Sequence, residues 1–286
     1  MRTCSLMLTA AMAVSFFMAA SPLASARKAP RIVKTQLVGR LGEWKDSAMV
    51  FKGAPQGFAV HGKNAVLVRD RGQVNILDLK QKKVVAVYST ALKKAHCNNA
   101  GFGPAKFSRD SFLPLLYVTE CYGDKRCFVL DIGRDSARVV QEIYYQDPAQ
   151  KGPMDWCIDP RGGFIYAYGG PPSGRYLKKF PIPDPKVPEV RYTPDDVLEV
   201  VTFTDVRIPQ GSMVRKGYAF IPDGCPPYPT IMHVVDMGTG EKVLMEELKD
   251  LDAEPEGIDM KGKWIYMAFF SKSKDINTNI YRLKIR

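Results

Sequence analysis

The chain has 286 residues, and its 45% hydrophobic content is ordinary for a globular protein and ample for a core. Its 41 Lys and Arg exceed 30 Asp and Glu for a formal charge of +11, but the excess is scattered through loops such as 80–83, 93–94, 261–263 and 272–274. With no arginine-rich helix, zinc finger or basic–aromatic platform, nucleic acid is set aside as a partner, while attraction to an acidic glycan or an anionic cell surface stays open.

Residues 1–26 read as a secretory signal peptide. Arg2 gives a short positive start, 6–20 is an apolar run broken only by Thr9 and Ser15, and Ala24, Ser25 and Ala26 supply the small-x-small cleavage pattern. The run is short for a membrane span, and Cys4 precedes it, where no lipidation signal would lie. The expectation is a secreted or periplasmic protein whose mature part, 27–286, is a single domain. Its five cysteines, Cys97, Cys121, Cys127, Cys157 and Cys225, are then free to form disulfides. Cys121 and Cys127 flank a turn and are the favoured pair; the odd total leaves at least one thiol over.

Taken in order, the mature chain opens with a strand at 33–41 that has no partner nearby. Five units then share one plan of short β-branched and aromatic strands separated by Gly, Pro, Asp and Lys turns. The first has strands at 57–60, 64–68, 73–78 and 84–88; the second at 115–119, 127–131 and 139–143. The third has 155–158, 164–168, 176–180 and 197–201; the fourth 212–214, 218–221, 231–236 and 243–245; the fifth 257–260, 264–269 and 279–283. Residues 90–95 could form one helical turn. A proline-rich stretch at 181–194 reads as an insertion, because its prolines cannot donate to a ladder.

Short strands repeated at roughly 40–55 residues are the pattern of propeller blades. The last unit lacks a fourth strand and 33–41 is a strand without a unit, so the two should pair. The predicted fold is all-β: a five-bladed β-propeller closed by an N-terminal strand that completes the last blade.

Each unit opens through a similar phrase, Pro55-Gln56-Gly57, Asn98-Asn99, Met154-Asp155, Pro209-Gln210-Gly211 and Pro255-Glu256-Gly257. The first strand of every blade lines the central channel, so Gln56, Asn99, Asp155, Gln210 and Glu256 should form a polar ring at one mouth, with His96, Asn98 and Glu254 near its rim. Such a ring can satisfy backbone groups of neighbouring blades, or it can hold a ligand. Its carboxylates, Asp155 and Glu256, with amide oxygens beside them, also make calcium a candidate cofactor. His61, in a turn, and His233, within an alternating strand, read as structural.

The phrases Pro55-Gln56-Gly57, His96 to Asn99 and Glu254 to Ile258, together with the leader, resemble uncharacterised secreted β-propeller proteins of gut Bacteroidetes. More distantly, Glu254 to Ile258 is similar to blade openings of calcium-dependent propellers of the gluconolactonase class. Those usually have six blades and a fuller set of metal ligands.

The sequence carries no Gly-x-Ser-x-Gly, His-Glu-x-x-His, phosphate-binding Gly-rich loop or EF-hand loop. The leading expectation is therefore a ligand-binding propeller that recognises a glycan, peptide or surface polymer at the channel mouth, aided by exposed aromatics such as Tyr228 and Trp156. The alternatives are a calcium-assisted hydrolase or lyase in the same ring, and a scaffold that docks a protein through loops 181–194 and 223–229.

Overall fold

A computed structural model of the protein describes residues 28–92, 95–249, 251, 253–270 and 278–286. The leader at 1–26 lies outside the described residues. The first strand, β1 (Ile32–Arg40), ends in a four-residue helix, α1 (Leu41–Trp44), which buries Leu41 and Trp44.

Blade 1 follows as β2 (Pro55–His61), β3 (Asn64–Arg69), β4 (Gln73–Asp78) and β5 (Lys83–Ser89). Blade 2 comprises β6 (Ala100–Phe102), β7 (Leu116–Thr119), β8 (Cys127–Ile132) and β9 (Ala137–Tyr145). Blade 3 begins with β10 (Asp155–Asp159), β11 (Phe164–Gly169) and β12 (Arg175–Pro181). The chain then leaves it to add β13 (Glu189–Tyr192) in parallel to the outer edge of blade 2, and returns to finish blade 3 with β14 (Glu199–Phe203). Blade 4 is β15 (Met213–Arg215), β16 (Tyr218–Asp223), β17 (Ile231–Asp236) and β18 (Lys242–Glu247). Blade 5 is β19 (Glu254–Lys261), β20 (Trp264–Phe270) and β21 (Thr278–Ile285), with β1 as its fourth strand.

The five-bladed propeller and its closure are as the repeats predict. β1 pairs antiparallel with β21 from Ile32↔Ile285 to Arg40↔Asn279, and Arg31 and Arg286 exchange backbone hydrogen bonds of 3.0 Å beyond it. Closure of this kind covers the edge that β21 would otherwise expose and makes β1 the outermost strand of blade 5. One expectation changes. The proline-rich insertion does hold a strand: 189–192 lies between Pro188 and Pro194, so its own amides are free to pair. The expected helical turn at 90–95 falls in part outside the described residues; of its ends, the Thr90 hydroxyl donates to Gly72 O at 2.6 Å and the Ala95 amide to Leu92 O at 3.3 Å.

The core is divided into five apolar clusters, one in each gap between neighbouring blades. Strand alternation makes this division. Along β2 and β3, Phe58, Val60, Ala65 and Leu67 pack toward blade 5, whereas Ala59, Val66 and Val68 pack toward blade 2. A blade buried on both faces reads as a continuous hydrophobic run, which is the pattern of these strands.

The inner strands β2, β6, β10, β15 and β19 touch in cyclic order around the axis. They approach so closely that the glycine in the opening phrase is a steric requirement. A Cβ on Gly57 would lie 2.6 Å from the Ala100 amide nitrogen of the next blade. At the far end of the channel, Arg215 and Asp259 meet at 2.7 Å; Arg215 also donates to Ile158 O at 2.6 Å, and Asp259 accepts from the Val60 amide at 2.8 Å. Four blades are thus tied at that end by one buried ion pair.

Candidate functional site: a cavity at the channel mouth

The opposite end of the channel holds a cavity of about 550 Å³. Gln56, His96, Asp155, Gln210 and Glu256 line it, with Asn98 and Glu254 beside them. The predicted ring therefore converges, with one change: Asn99 lies below the cavity floor. Its Nδ2 donates to Trp156 O at 2.9 Å and Ser212 O at 2.8 Å, tying blade 2 to blades 3 and 4. Asn98 takes the place at the rim and donates to Asp155 Oδ2 at 2.6 Å.

Strand direction adds residues that the opening phrases do not reveal. The second strand of each blade runs antiparallel to the first, so its C-terminal end returns to the same mouth. Asp155 faces Tyr168 in the β10–β11 register, and Glu254 faces Phe270 in β19–β20. Asp70 follows β3, while Cys121 and Tyr122 follow β7; all five line the cavity. Arg175 and Arg207 complete the wall of blades 3 and 4. Pairing each first-strand residue with its partner on the second strand was the available signal for Tyr168 and Phe270; nothing in the sequence marks Arg175 or Arg207.

The walls differ in charge. Blades 1 and 5 supply Asp70, Glu254 and Glu256, and Gln210 donates from Nε2 to Glu254 Oε1 at 2.6 Å. Burial, with Glu254 and Asp70 adding like charge, pushes the Glu256 carboxyl well above the usual carboxylate range. Burial also raises Asp155, to about 7, against the opposing hydrogen bond from Asn98 and the charge of Arg175. The guanidinium of Arg175 is spent on the fold: it donates to Val206 O at 3.0 Å, Arg207 O at 2.8 Å and Gly170 O.

The Arg207–Gln210 segment of the wall is held from behind. Asp223 accepts from the amides of Arg207 at 2.9 Å and Ile208 at 2.6 Å, and lies 3.3 Å from His233 Nε2. Burial alone would raise the Asp223 carboxyl, but the hydrogen bonds from His233, Arg207 and Ile208 hold it below the ordinary value. His233 is thus a buried structural partner, as expected. His61 sits at the exposed end of β2, edge-on to Phe102 at 5.7 Å. His96, in a left-handed conformation at φ 43°, rests its ring against Tyr122 at 5.3 Å on the rim.

Three expectations need correction. Cys121 and Cys127 do not bond; both are buried free thiols. The β7–β8 register sets Cys127 opposite Thr119, and the next pair is Glu120 with Arg126, so Cys121 lies beyond reach of Cys127 and lines the cavity instead. Trp156 is no exposed contact residue: it is 3% exposed, and its indole N–H donates to Lys125 O at 2.8 Å. The calcium set is also not assembled. Among the described residues no group of three or more His, Cys, Asp or Glu could hold a metal ion.

No protein-family model matches the sequence, and no curated protein does. Among solved structures, the glutaminyl cyclase of Myxococcus xanthus is similar over 90% of this chain and 96% of its own, at 13% identity and a TM-score of 0.52. The tail fiber of Staphylococcus aureus phage P68 is similar over 88% of this chain and 53% of its own, at 11% identity and a TM-score of 0.59. Identities this low show shared shape alone, and the shape defines the class: a five-bladed β-propeller.

Proposed function

We propose that this is an exported binding propeller that receives the donor-bearing end of a peptide, glycan or surface polymer in the cavity at the channel mouth. One observation carries the reading. Gln56, Asp155 and Tyr168 line the cavity, and Gln56 Oε1, Asp155 Oδ1 and the Tyr168 hydroxyl are buried with no partner among the described residues. An unpaired buried polar group costs about 1–3 kcal/mol. Three such atoms on residues of one cavity lining fit a site arranged for the donors of a ligand better than they fit an axle of packing. Gln56, His96, Asp155, Gln210 and Glu256 are the proposed contacts, and Asn99 positions the inner strands beneath them. Export is supported by the leader-like composition of 1–26.

The test is a thermal-shift screen of peptides and oligosaccharides on the wild type and on Tyr168→Phe. The substitution removes the unpaired hydroxyl, so the ligand-free variant should melt at or above the wild type while its response to ligand shrinks. A variant that melts several degrees lower would mean that the hydroxyl is already satisfied within the fold, and the reading would fail.

A second reading, an acid–base enzyme in the same cavity, is favoured by the raised Asp155 and Glu256 carboxyls. Two buried acids lining one cavity can serve as general acid and base. One protein of similar shape, the glutaminyl cyclase of Myxococcus xanthus, is by its name an enzyme. Turnover lost in Asp155→Asn or Glu256→Gln with binding retained would move the protein into that class.

A further inference from the structure

We propose that the acidic wall of this cavity binds a primary ammonium group, with the free amino terminus of a peptide as the ligand end it takes. The inference rests on the binding reading above and narrows its ligand.

The wall formed by blades 1 and 5 is rich in acceptors, with three carboxyl groups and the Gln56 amide oxygen. Gln56 Oε1 and Asp70 Oδ1 are buried without partners among the described residues, and Glu254 and Glu256 stand beside them. Gln210 engages one oxygen of Glu254 through its amide, and Asn98 engages one oxygen of Asp155, leaving Asp155 Oδ1 unpaired. An ammonium group is the complement of such a surface, having three donors and no acceptor. A sugar hydroxyl brings lone pairs of its own and would need donors in return. The nearby guanidinium of Arg175 already spends three of its five N–H donors on backbone carbonyls, which leaves few for a sugar.

Charge points the same way. Asp70 and Glu254, half-buried, line the same cavity as Glu256, which is only 3% exposed. Like charge from Glu254 and Asp70 acts on the buried Glu256, and a cation beside Glu256 offsets it. The cavity, at about 550 Å³, has room for a peptide end rather than for a bare ion alone.

The test measures binding to the whole mature protein by calorimetry with five probes: a tripeptide amide with a free amino terminus, its N-acetylated form, a linear diamine, a neutral oligosaccharide and calcium chloride alone. The free tripeptide should bind at least tenfold more tightly than the acetylated one, and Glu256→Gln should remove most of that difference. Gln fills the same volume, so the variant should melt no lower than the wild type, and the melting curve verifies that it is folded. A diamine that binds as well as the tripeptide supports the ammonium site while assigning it to amines at large. Equal binding of the acetylated peptide, binding of the oligosaccharide alone, or a calcium response lost in Glu256→Gln would each overturn the inference and leave the binding reading standing. No response to any probe would overturn both.

Discussion

Asn98 and Asp155 belong to different blades, yet the amide of one donates to the carboxylate of the other across 2.6 Å inside the cavity rim. This contact fixes the neighbouring inner strands and keeps a buried acid partly ionised. Asn98→Leu should therefore push the Asp155 carboxyl above its value of about 7 and cost about 1–3 kcal/mol of stability. Urea denaturation measures the cost, and an NMR titration of the carboxyl carbon measures the shift. A stability loss without a shift would mean that Asn98 serves packing alone.

The pH dependence has a definite sign. The folded-state pKa of Asp155 lies above its unfolded value, so its contribution to stability is fully present below about pH 4 and is lost as the pH rises toward 7. Asp155→Asn should flatten the stability curve between those limits and leave the variant the more stable protein at pH 8. Asp223 acts in the opposite direction, since its lowered pKa gives stability that disappears only in acid. Melting temperatures of wild type and variant from pH 4 to 8 check the difference; parallel curves would contradict it.

Asp223→Ala removes the acceptor behind the cavity wall and leaves two amides and a buried histidine without it. The expected loss is about 2–5 kcal/mol. Hydrogen exchange at Arg207 and Ile208 should accelerate while the β10–β11 ladder stays protected. Exchange unchanged at those two amides would show that the segment is held by other means.

Removal of residues 28–40 takes away the strand that closes the ring and exposes the full length of β21. The shortened protein should unfold at lower temperature and self-associate through the open edge, which size-exclusion chromatography would detect. A monomer with unchanged stability would show that β1 is dispensable for closure.

Thiol reactivity follows burial. Cys97, Cys121, Cys127 and Cys157 are buried and their thiols are pushed upward, Cys157 to about 12, whereas Cys225 is only half-buried. Alkylation of the native protein at pH 8 should label Cys225 first. After unfolding, all five should react. A peptide cross-linked through Cys121 and Cys127 would refute the assigned register.

Much of this architecture was written in the order of residues. β-branched alternation locates the strands because each blade is buried on both faces, and the orphan strand near Val33 announces the ring closure. The glycines of the opening phrases are legible for the same reason, since Gly57 meets the Ala100 backbone of the adjoining blade. The cavity was only half legible. Gln56, Asp155, Gln210 and Glu256 share a phrase and a height on the inner strands, but Asn98 and Asn99 differ by one residue, and that step decides which faces the cavity and which lies beneath it. Arg175 and Arg207 reach the wall through loop geometry, which has no period to read. The Cys121–Cys127 pairing misled because loop length alone does not set register; the Glu120 and Arg126 pair does.

The closure of blade 5 also decides which way the molecule faces. β19 starts at the cavity mouth, and each successive strand reverses direction, so β21 ends and β1 begins on the opposite face, where Arg31 and Arg286 lie side by side. Anything joined just ahead of Arg31 or after Arg286, whether an immobilisation tag or a fused reporter, starts from the face opposite the cavity. The propeller can be anchored from its back with the cavity directed outward, as a dish is held by its stem.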